Sequence, residues 1–149
     1  LEQIWRINPQ LVCITGGEPL LQEEALNILL APLYSRGIVV TIETNGTLDF
    51  SRVQKYATIC MDVKCPSSGE ESDLSLLSKI RECDSVKFVV FDEEDCRFAL
   101  EVTNARPIKG EIFFSPVFGT DYQPIVRFIL KHNLPVRFQI QLHKLLGVK

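Results

Sequence analysis

One stretch near the start of the chain decides the fold, and it reads LVCITGGEPL (residues 11–20). Leu11 to Thr15 form an unbroken apolar and β-branched run, which predicts a strand. Gly16 and Gly17 end that strand, and Pro19 presets the start of a helix. The two glycines let the backbone of this strand–loop–helix unit approach a ligand closely, with free N–H and C=O groups to offer.

The alternation of strand and helix continues to the end of the chain. Further strands are predicted at residues 38–43, 58–62, 85–91, 111–115 and 136–142. Helices are predicted at residues 19–35, 73–82, 93–103 and 122–131, with a short helix capped by Asp49 or Ser51 and ending at Tyr56. Uninterrupted apolar strands between helices indicate an α/β domain with a parallel sheet covered by helices. The periodicity leaves an open sheet and a partial barrel as alternatives, and in both of them ligands bind beyond the carboxyl ends of the strands.

Composition and charge exclude several classes of protein. The chain has 149 residues, of which 46% are hydrophobic and 23% charged, and this predicts one domain over residues 1–149 with a buried core. A formal net charge of -3 gives no support for a nucleic-acid or anionic-membrane surface. No apolar run reaches the roughly 18 residues that a membrane-spanning helix needs. Because the chain begins at Leu1 and its one methionine is Met61, we expect it to be an N-terminally incomplete part of a longer protein.

The cysteines indicate a reducing environment. They are Cys13, Cys60, Cys65, Cys83 and Cys96. An odd number at wide spacing fits neither a disulfide framework nor a zinc site, so we expect free thiols and a cytoplasmic location. Cys13 and Cys60 interrupt apolar stretches and are predicted to be small buried hydrophobes, whereas Cys65, before Pro66, is not assigned.

Polar segments follow the predicted strands and together suggest a site. They lie at residues 15–19, 43–47, 62–68, 115–116 and 139–144, and the fourth strand offers Lys87 early in it and Asp92 at its end. Glu18 suits an ammonium group of a ligand, although a lone Gly-Gly pair favours a tight turn with a solvated glutamate. Asn45-Gly46 is also a common turn pair. Asp62 and Lys64 alternate along one strand end and so face the same way, where a surface ion pair is the alternative.

These segments, taken together, resemble the radical S-adenosylmethionine (SAM) superfamily. Residues 15–20, TGGEPL, resemble its Gly-Gly-Glu-Pro motif, and residues 43–46, ETNG, resemble the segment after the next strand. More narrowly, DVKCPSS (residues 62–68) and the terminal QLHK (residues 141–144) resemble the 7-carboxy-7-deazaguanine synthase family.

The resemblance implies a partial (β/α) barrel of the radical SAM type and a carbon–nitrogen lyase of queuosine biosynthesis. In that family a 4Fe–4S cluster reduces SAM to a 5'-deoxyadenosyl radical. The radical takes a hydrogen from 6-carboxy-5,6,7,8-tetrahydropterin, whose ring contracts with loss of ammonia, assisted by Mg2+. The resemblance also implies a homodimer, with a small pterin as the substrate and neither nucleic acid nor membrane as a partner.

The resemblance also assigns residues. The cofactor-binding residues it implies are Gly16, Gly17, Glu18, Thr44, Asn45, Asp62, Val63, Lys64, Phe114, Ser115, Pro116 and Val117. The substrate-binding residues it implies are Thr15, His143 and Lys149. No side chain is assigned to acid–base catalysis or to a metal, because the cofactor carries the difficult step.

One departure from the family is large. Three cysteines in a CxxxCxxC-type motif hold the family's cluster, and no such spacing occurs here. Cluster ligands must converge on one small site, so the scattered cysteines do not replace that motif. We therefore expect the cluster and Mg2+ ligands outside this chain, and the chain alone to be inactive. The alternatives are a glycyl-radical-activating enzyme, which the ending QLHK disfavours, and a non-catalytic domain that binds SAM or a partner protein.

Overall fold

The structure is a computed structural model that describes residues 1–148. Its strands are β1 (Leu11–Ile14), β2 (Val39–Thr44), β3 (Thr58–Lys64), β4 (Ser85–Val90), β5 (Glu111–Pro116) and β6 (Arg137–Phe138). Its α-helices are α1 (Glu2–Ile7), α2 (Glu23–Ser35), α3 (Glu93–Ala105), α4 (Gln123–Lys131) and α5 (Leu142–Leu146). Short 3₁₀ helices cover Pro19–Gln22, Pro66–Ser68 and Leu74–Lys79. In this part of the chain no helix is long and apolar enough to cross a membrane.

The six strands form one parallel sheet. Their order in space is the order in sequence, β1-β2-β3-β4-β5-β6, and every neighbouring pair is parallel. Strands that advance one place at a time with helices between them build a barrel wall, and here β1 and β6 are its two edges. The predicted α/β fold with parallel strands and outer helices is confirmed.

The sheet has two unlike faces because side chains alternate along each strand. The outer face is apolar and lies under the helices; its fully buried side chains include Ile42, Ile59, Met61, Phe88 and Phe114. Helix α2 adds Leu30 and Leu33 to the same core. Removing each such side chain from water contributes about 1.5–3 kcal/mol. The inner face carries the charged side chains Glu43, Asp62 and Lys87, so the core and the polar surface lie on opposite sides of one sheet.

Asp84 fastens the amino end of the sheet. It lies directly before β4, is 2% exposed, and accepts hydrogen bonds from the backbone N–H groups of Ile59 (2.8 Å) and Arg81 (2.9 Å). The Arg81 guanidinium donates at 2.8 Å to each oxygen, and the Gln54 amide donates at 3.1 Å. Burial opposes ionisation of Asp84, but the hydrogen bonds from Arg81 and Ile59 outweigh it and hold the pKa below its ordinary value. The starts of β3 and β4 are thereby tied together.

Several local predictions were wrong. The helix expected from Asp49 or Ser51 to Tyr56 is a series of turns, although the Asp49 carboxylate does accept the Ser51 N–H at 2.9 Å. Its backbone N–H groups donate to carbonyls three and four residues back in mixture, as Val53 and Gln54 both do to Phe50, so no regular helical ladder forms. The helix expected at residues 73–82 is the 3₁₀ helix Leu74–Lys79.

The last predicted strand is also shorter than expected. Only Arg137–Phe138 forms β6, and Leu142, predicted to end that strand, begins α5. Strand β6 has one neighbour, β5, and the chain leaves it after the Gln139 N–H donates to the Phe114 carbonyl at 2.9 Å. Cys13, predicted to be buried, is exposed because it lies on an edge strand and faces away from the helices.

Candidate functional site

The loop after β1 leaves open space beside its backbone. Gly16 has φ +92° and Gly17 has φ +56°, backbone conformations that residues other than glycine rarely adopt. A Cβ at either position would meet no other atom within 4 Å. The loop is therefore shaped by backbone geometry, and a ligand has room to reach its N–H and C=O groups.

Glu18 braces this loop against the loop after β2. The Leu20 N–H donates to Oε1 at 3.0 Å, the Thr44 hydroxyl lies 3.0 Å from both oxygens, and the Asn45 N–H donates to Oε2 at 2.8 Å. The carboxylate that we expected to face a ligand's ammonium group is thus already engaged within the protein. Its position joins the two motif-bearing loops.

The loop after β2 uses its polar side chains internally. Thr44 is 3% exposed, and the Asn45 side chain accepts the Thr47 N–H at 3.1 Å and the Thr47 hydroxyl at 2.7 Å. Gly46 has φ +69°, and a Cβ there would overlap the end of the Met61 side chain. Thr44 and Asn45, both predicted to bind the cofactor, shape the turn with their side chains.

Three charged side chains meet on the inner face near the carboxyl ends of the strands. Lys87 Nζ on β4 lies 2.9 Å from Asp62 Oδ1 on β3 and 3.7 Å from Glu43 Oε2 on β2. The Thr15 hydroxyl, after β1, donates to Glu43 Oε2 at 3.4 Å. A polar chain therefore runs across four neighbouring strands.

Burial shifts the pKa values of this group. It raises the pKa of the Asp62 carboxyl, and the charges of Lys87 and Lys64 only partly oppose it. Burial opposes the charged form of Lys87, but Asp62 outweighs this and raises the pKa of the ammonium group. Burial likewise raises the pKa of the neighbouring Cys60 thiol, so this thiol is not an activated nucleophile.

A cavity of about 550 Å³ opens above these charges. Its walls are Thr15, Glu43, Asp62, Lys87, Val89, Ser115 and residues 139–144. Two buried acceptors in this wall, Asp62 Oδ1 and Gln141 Oε1, have no hydrogen-bond partner among the described residues. The Asp62 oxygen has the close ion pair with Lys87 but no aligned donor. Because buried polar atoms are normally satisfied, these oxygens suit the N–H or O–H donors of a ligand.

A second cavity, of about 440 Å³, adjoins the first. It is lined by Lys64, Cys65, Ser67, Ser68, Val89, Phe91, Asp92 and Val117. Val89 lines both cavities, so they are neighbours across one side chain. The Ser67 N–H and hydroxyl donate to Asp95, which holds the loop after β3 against α3. Lys64 lies 3.3 Å from the exposed Glu70, which leaves its ammonium group accessible from the cavity.

Apart from the loop residues 16–18 and 44–45 described above, the structure divides the predicted residues into three groups. Thr15, Asp62, Ser115 and His143 line the first cavity, and Lys64 and Val117 line the second. Val63, Phe114 and Pro116 are buried, and the side chains of Val63 and Phe114 lie in the core under the helices. The expectation that these two side chains line the pocket is corrected, because side chains alternate along a strand and theirs point to the outer face. Lys149 lies outside the described residues.

Sequence reasoning assigned no role to Glu43, Lys87 or Gln141, which the structure brings into the first cavity. For Lys87 a signal was present, since it is the one charged residue within the apolar strand SVKFVV (residues 85–90). A charge at such a position requires a partner on a neighbouring strand.

The residues of this chain do not fit an iron–sulfur cluster. Cys65 and Cys96 are buried, Cys13 and Cys83 are exposed, and residues 1–148 contain no group of three metal-binding side chains. They do fit SAM in part, through the open glycine loop and the Lys64 ammonium group in the second cavity.

Comparison with known proteins places the chain in a family. No family model matches it. It is 53% identical over 140 residues to the 7-carboxy-7-deazaguanine synthase of Methanospirillum hungatei, covering 94% of this chain and 60% of that protein. It is 36% identical over 152 residues to the synthase of the same name from Koribacter versatilis, covering 90% of this chain and 67% of that protein. In fold it is similar to a domain of the pyruvate-formate lyase-activating enzyme from Bacteroides vulgatus, with a TM-score of 0.68 at 18% identity over 87% of this chain and 97% of that one.

The parallel sheet, the glycine loop and the cavities at the strand ends define an α/β domain with the fold of that activating-enzyme domain. Within that class, the chain belongs to the 7-carboxy-7-deazaguanine synthase family. It spans 60% of the length of the Methanospirillum relative and 63% of that from Chlorobaculum tepidum.

Proposed function

We propose that this protein takes part in the conversion of 6-carboxy-5,6,7,8-tetrahydropterin to 7-carboxy-7-deazaguanine with loss of ammonia. The observation that carries the proposal is the 53% identity, over 94% of the chain, to a protein named as the synthase of that product. The charged cavity at the carboxyl ends of the strands supports it, because this is where barrel enzymes bind their substrates.

We assign the cofactor to the second cavity and the glycine loop. Bound SAM supplies the radical chemistry, together with a 4Fe–4S cluster and Mg2+ whose ligands we place outside the described residues. Within this chain, the Lys64 ammonium group suits the carboxylate of an amino acid, and Val117 and Phe91 offer apolar surface to a base. The backbone around Gly16 and Gly17 offers hydrogen-bonding groups without a side chain in the way.

We assign the pterin to the first cavity. A pterin presents several ring N–H groups and one amino group. The lining of the cavity offers acceptors for them on Glu43, Asp62 and Gln141. His143 and Lys144, in the same wall, suit the carboxylate of the substrate. Thr15, between the glycine loop and Glu43, is placed to contact the ligand beside the cofactor.

We further propose a homodimer in the cytoplasm. The resemblance to the family and the free cysteines support this, as do the exposed apolar side chains of α5. These side chains are Leu142, Leu145 and Leu146. Light scattering of the complete protein tests the dimer, and a monomer at micromolar concentration contradicts it.

The test is an anaerobic assay of the complete product of the gene. The reading frame is followed upstream of Leu1, the protein is expressed with any added segment, and the cluster is reconstituted. We expect 7-carboxy-7-deazaguanine by mass spectrometry when SAM, Mg2+ and the carboxytetrahydropterin are supplied. A protein that has a reducible cluster and forms no such product contradicts the proposal.

The matched control is the 149-residue chain itself. Since its residues do not fit a cluster, we expect neither SAM cleavage nor a brown chromophore after the same treatment. Either result would show that the cysteines have been misassigned.

A further inference from the structure

Lys87 lines the first cavity, but none of the proposed cofactor and substrate contacts uses its ammonium group. Its side chain is only 16% exposed, on the inner face of β4, and its Cα is paired in register with that of Asp62. The ammonium group lies 2.9 Å from Asp62 Oδ1 and 3.7 Å from Glu43 Oε2. One cation on β4 therefore lies close to carboxylates from β3 and β2.

Without this cation the arrangement is unfavourable. Glu43 and Asp62 project from adjacent strands onto the same face, and Asp62 is largely withdrawn from water. Two carboxylates beside the same cation repel each other, and desolvation adds a further cost to the ionised form of Asp62. Lys87 offsets both effects, and the raised pKa values of Asp62 and Lys87 agree with a desolvated pair.

The pairing also leaves acceptors turned towards the cavity. Asp62 Oδ1 has the Lys87 ammonium group as its one close partner, and Gln141 Oε1, which lines the same cavity, has no donor among residues 1–148. Lys87 thus compensates the charge of Asp62 without saturating its oxygens. In a purely structural ion pair we expect those lone pairs to be filled.

We propose that Lys87 is a positioning residue of this site, whose ammonium group compensates the charge of Asp62 beside the Glu43 carboxylate, so that the carboxylate oxygens lining the cavity receive N–H donors of the ligand. The identity of that ligand rests on the proposed function. The charge arrangement does not, and it is tested separately.

Other titratable groups face the same region and belong in the test. Cys60 lies beside Lys87 on the inner face of β3, and Lys64 acts on Asp62 from the end of that strand. His143 and Lys144 line the cavity from the far side. Any change in the titration of Asp62 is therefore measured with these groups intact.

The first experiment is a carbon-13 NMR titration of the side-chain carboxyl groups in the 149-residue chain. Lys87→Met is expected to raise the pKa of Asp62 by about 1–3 units, since an opposite charge at this distance is removed. Lys87→Arg keeps the charge and is expected to restore most of the shift. Lys109→Met, at an exposed lysine before β5, is the matched control and leaves Asp62 unchanged. An Asp62 that titrates alike in the original and Lys87→Met chains overturns the proposal.

A second variant covers the case in which Lys87→Met does not fold. Adding Glu43→Gln and Asp62→Asn to Lys87→Met removes the unbalanced negative charges, so this triple variant is expected to recover the native spectrum. If it also fails to fold, Lys87 serves packing rather than charge, and the proposal is overturned.

The second experiment uses the complete protein and its product assay. Lys87→Met is expected to lower kcat/KM at pH 7 about tenfold or more, mainly through KM, and to move the pH profile upward by the shift seen in NMR. Lys87→Arg recovers the profile. A complete wild-type protein that forms no product contradicts the proposed function alone, since the NMR result still decides the role of Lys87. An active protein whose profile is unmoved by Lys87→Met overturns the positioning role alone.

Discussion

Each end of the sheet holds an aspartate beside a cation, buried at Asp84 and half-buried at Asp62, and the two pairs are built differently. At the amino end, the oxygens of Asp84 receive donors from Ile59, Arg81 and Gln54. At the carboxyl end, Asp62 has a single close ion pair and keeps one buried oxygen without an aligned donor. The residue types are alike, so what distinguishes a structural carboxylate from a binding one is whether its lone pairs are filled.

Cavity size does not make this distinction. The larger cavity, of about 660 Å³, lies at the amino end of the sheet, between Tyr34, Tyr56 and Arg81. Its most prominent polar group, the Arg81 guanidinium, already donates to Asp84 and to the carbonyls of Gln54 and Ala57. The cavity at the carboxyl end is smaller, yet two of the three buried side-chain acceptors without a hydrogen-bond partner among residues 1–148 line it; the third is Glu23 Oε1 on α2.

The largest loss of stability is expected at the amino end of the sheet, where the oxygens of Asp84 accept several hydrogen bonds. Asp84→Asn replaces an acceptor oxygen by an amide that faces donors, and leaves the Arg81 charge without its partner. We expect the free energy of unfolding to fall by about 3–5 kcal/mol, measured by urea denaturation at pH 7. Asp49→Asn is the matched control, because Asp49 pairs with Lys79 on the surface and is expected to change stability by less than about 1 kcal/mol.

The pH dependence follows from the same bonds. The folded-state pKa of Asp84 is lowered, so its contribution to stability is present above the unfolded pKa of about 3.9 and is lost as the pH falls through the folded value. The original chain therefore loses stability in acid more steeply than Asp84→Asn. Equal slopes in the two proteins would mean that Asp84 is not a stabilising carboxylate.

An intermediate loss of stability is expected at Glu18. It lies at the carboxyl end of the sheet, but its oxygens already accept hydrogen bonds within the protein, as those of Asp84 do. Glu18→Gln puts an amide group where the Thr44 hydroxyl and the Asn45 N–H donate. We expect a loss of about 1–3 kcal/mol and increased hydrogen exchange in the loops at residues 15–19 and 44–47.

Glu101→Gln, on the exposed side of α3, is the control and is expected to stay within about 0.5 kcal/mol. A Glu18→Gln protein of unchanged stability and unchanged hydrogen exchange would contradict the role of Glu18 in joining the two loops. Its carboxylate would then be a candidate for binding a ligand.

The sequence predicted the strands well because their signal is local. The apolar run at residues 11–14 needs no knowledge of its neighbours, and the structure forms β1 there. The segment at residues 73–82 also has a local signal, the Asp73 cap, yet it ends as a 3₁₀ helix whose Leu76 and Leu77 enter the core. Packing of these two leucines, which local periodicity does not report, decided between the two kinds of helix.

The site was predicted less completely because its chemistry is non-local. Glu18 meets Thr44, 26 residues away, and only the parallel pairing of β1 and β2 brings them together. Lys87 gains its role from Asp62 through the register of β3 and β4. Sequence motifs found the right loops, but which side chains are satisfied and which are free depends on partners in other strands.

The smallest stability effect is expected for Asp62→Asn, the counterpart of Asp84→Asn at the open end. Since the folded-state pKa of Asp62 is raised, its ionisation disfavours the folded state, and stability is lost as the pH rises through the folded value. Asparagine removes that cost. Lys87 Nζ still has Glu43 Oε2 at 3.7 Å, and its side chain remains partly exposed to solvent.

We therefore expect Asp62→Asn to change the free energy of unfolding at pH 7 by less than about 1 kcal/mol, in either direction. Between the ordinary aspartate pKa of about 3.9 and pH 7, its stability should also depend less on pH than that of the original chain. The measurement is urea denaturation over that range, with Asp84→Asn beside it. Because the two substitutions are chemically identical, a loss at Asp62 as large as that at Asp84 would mean that both carboxylates hold the fold, and the inner-face oxygens would no longer mark a binding site.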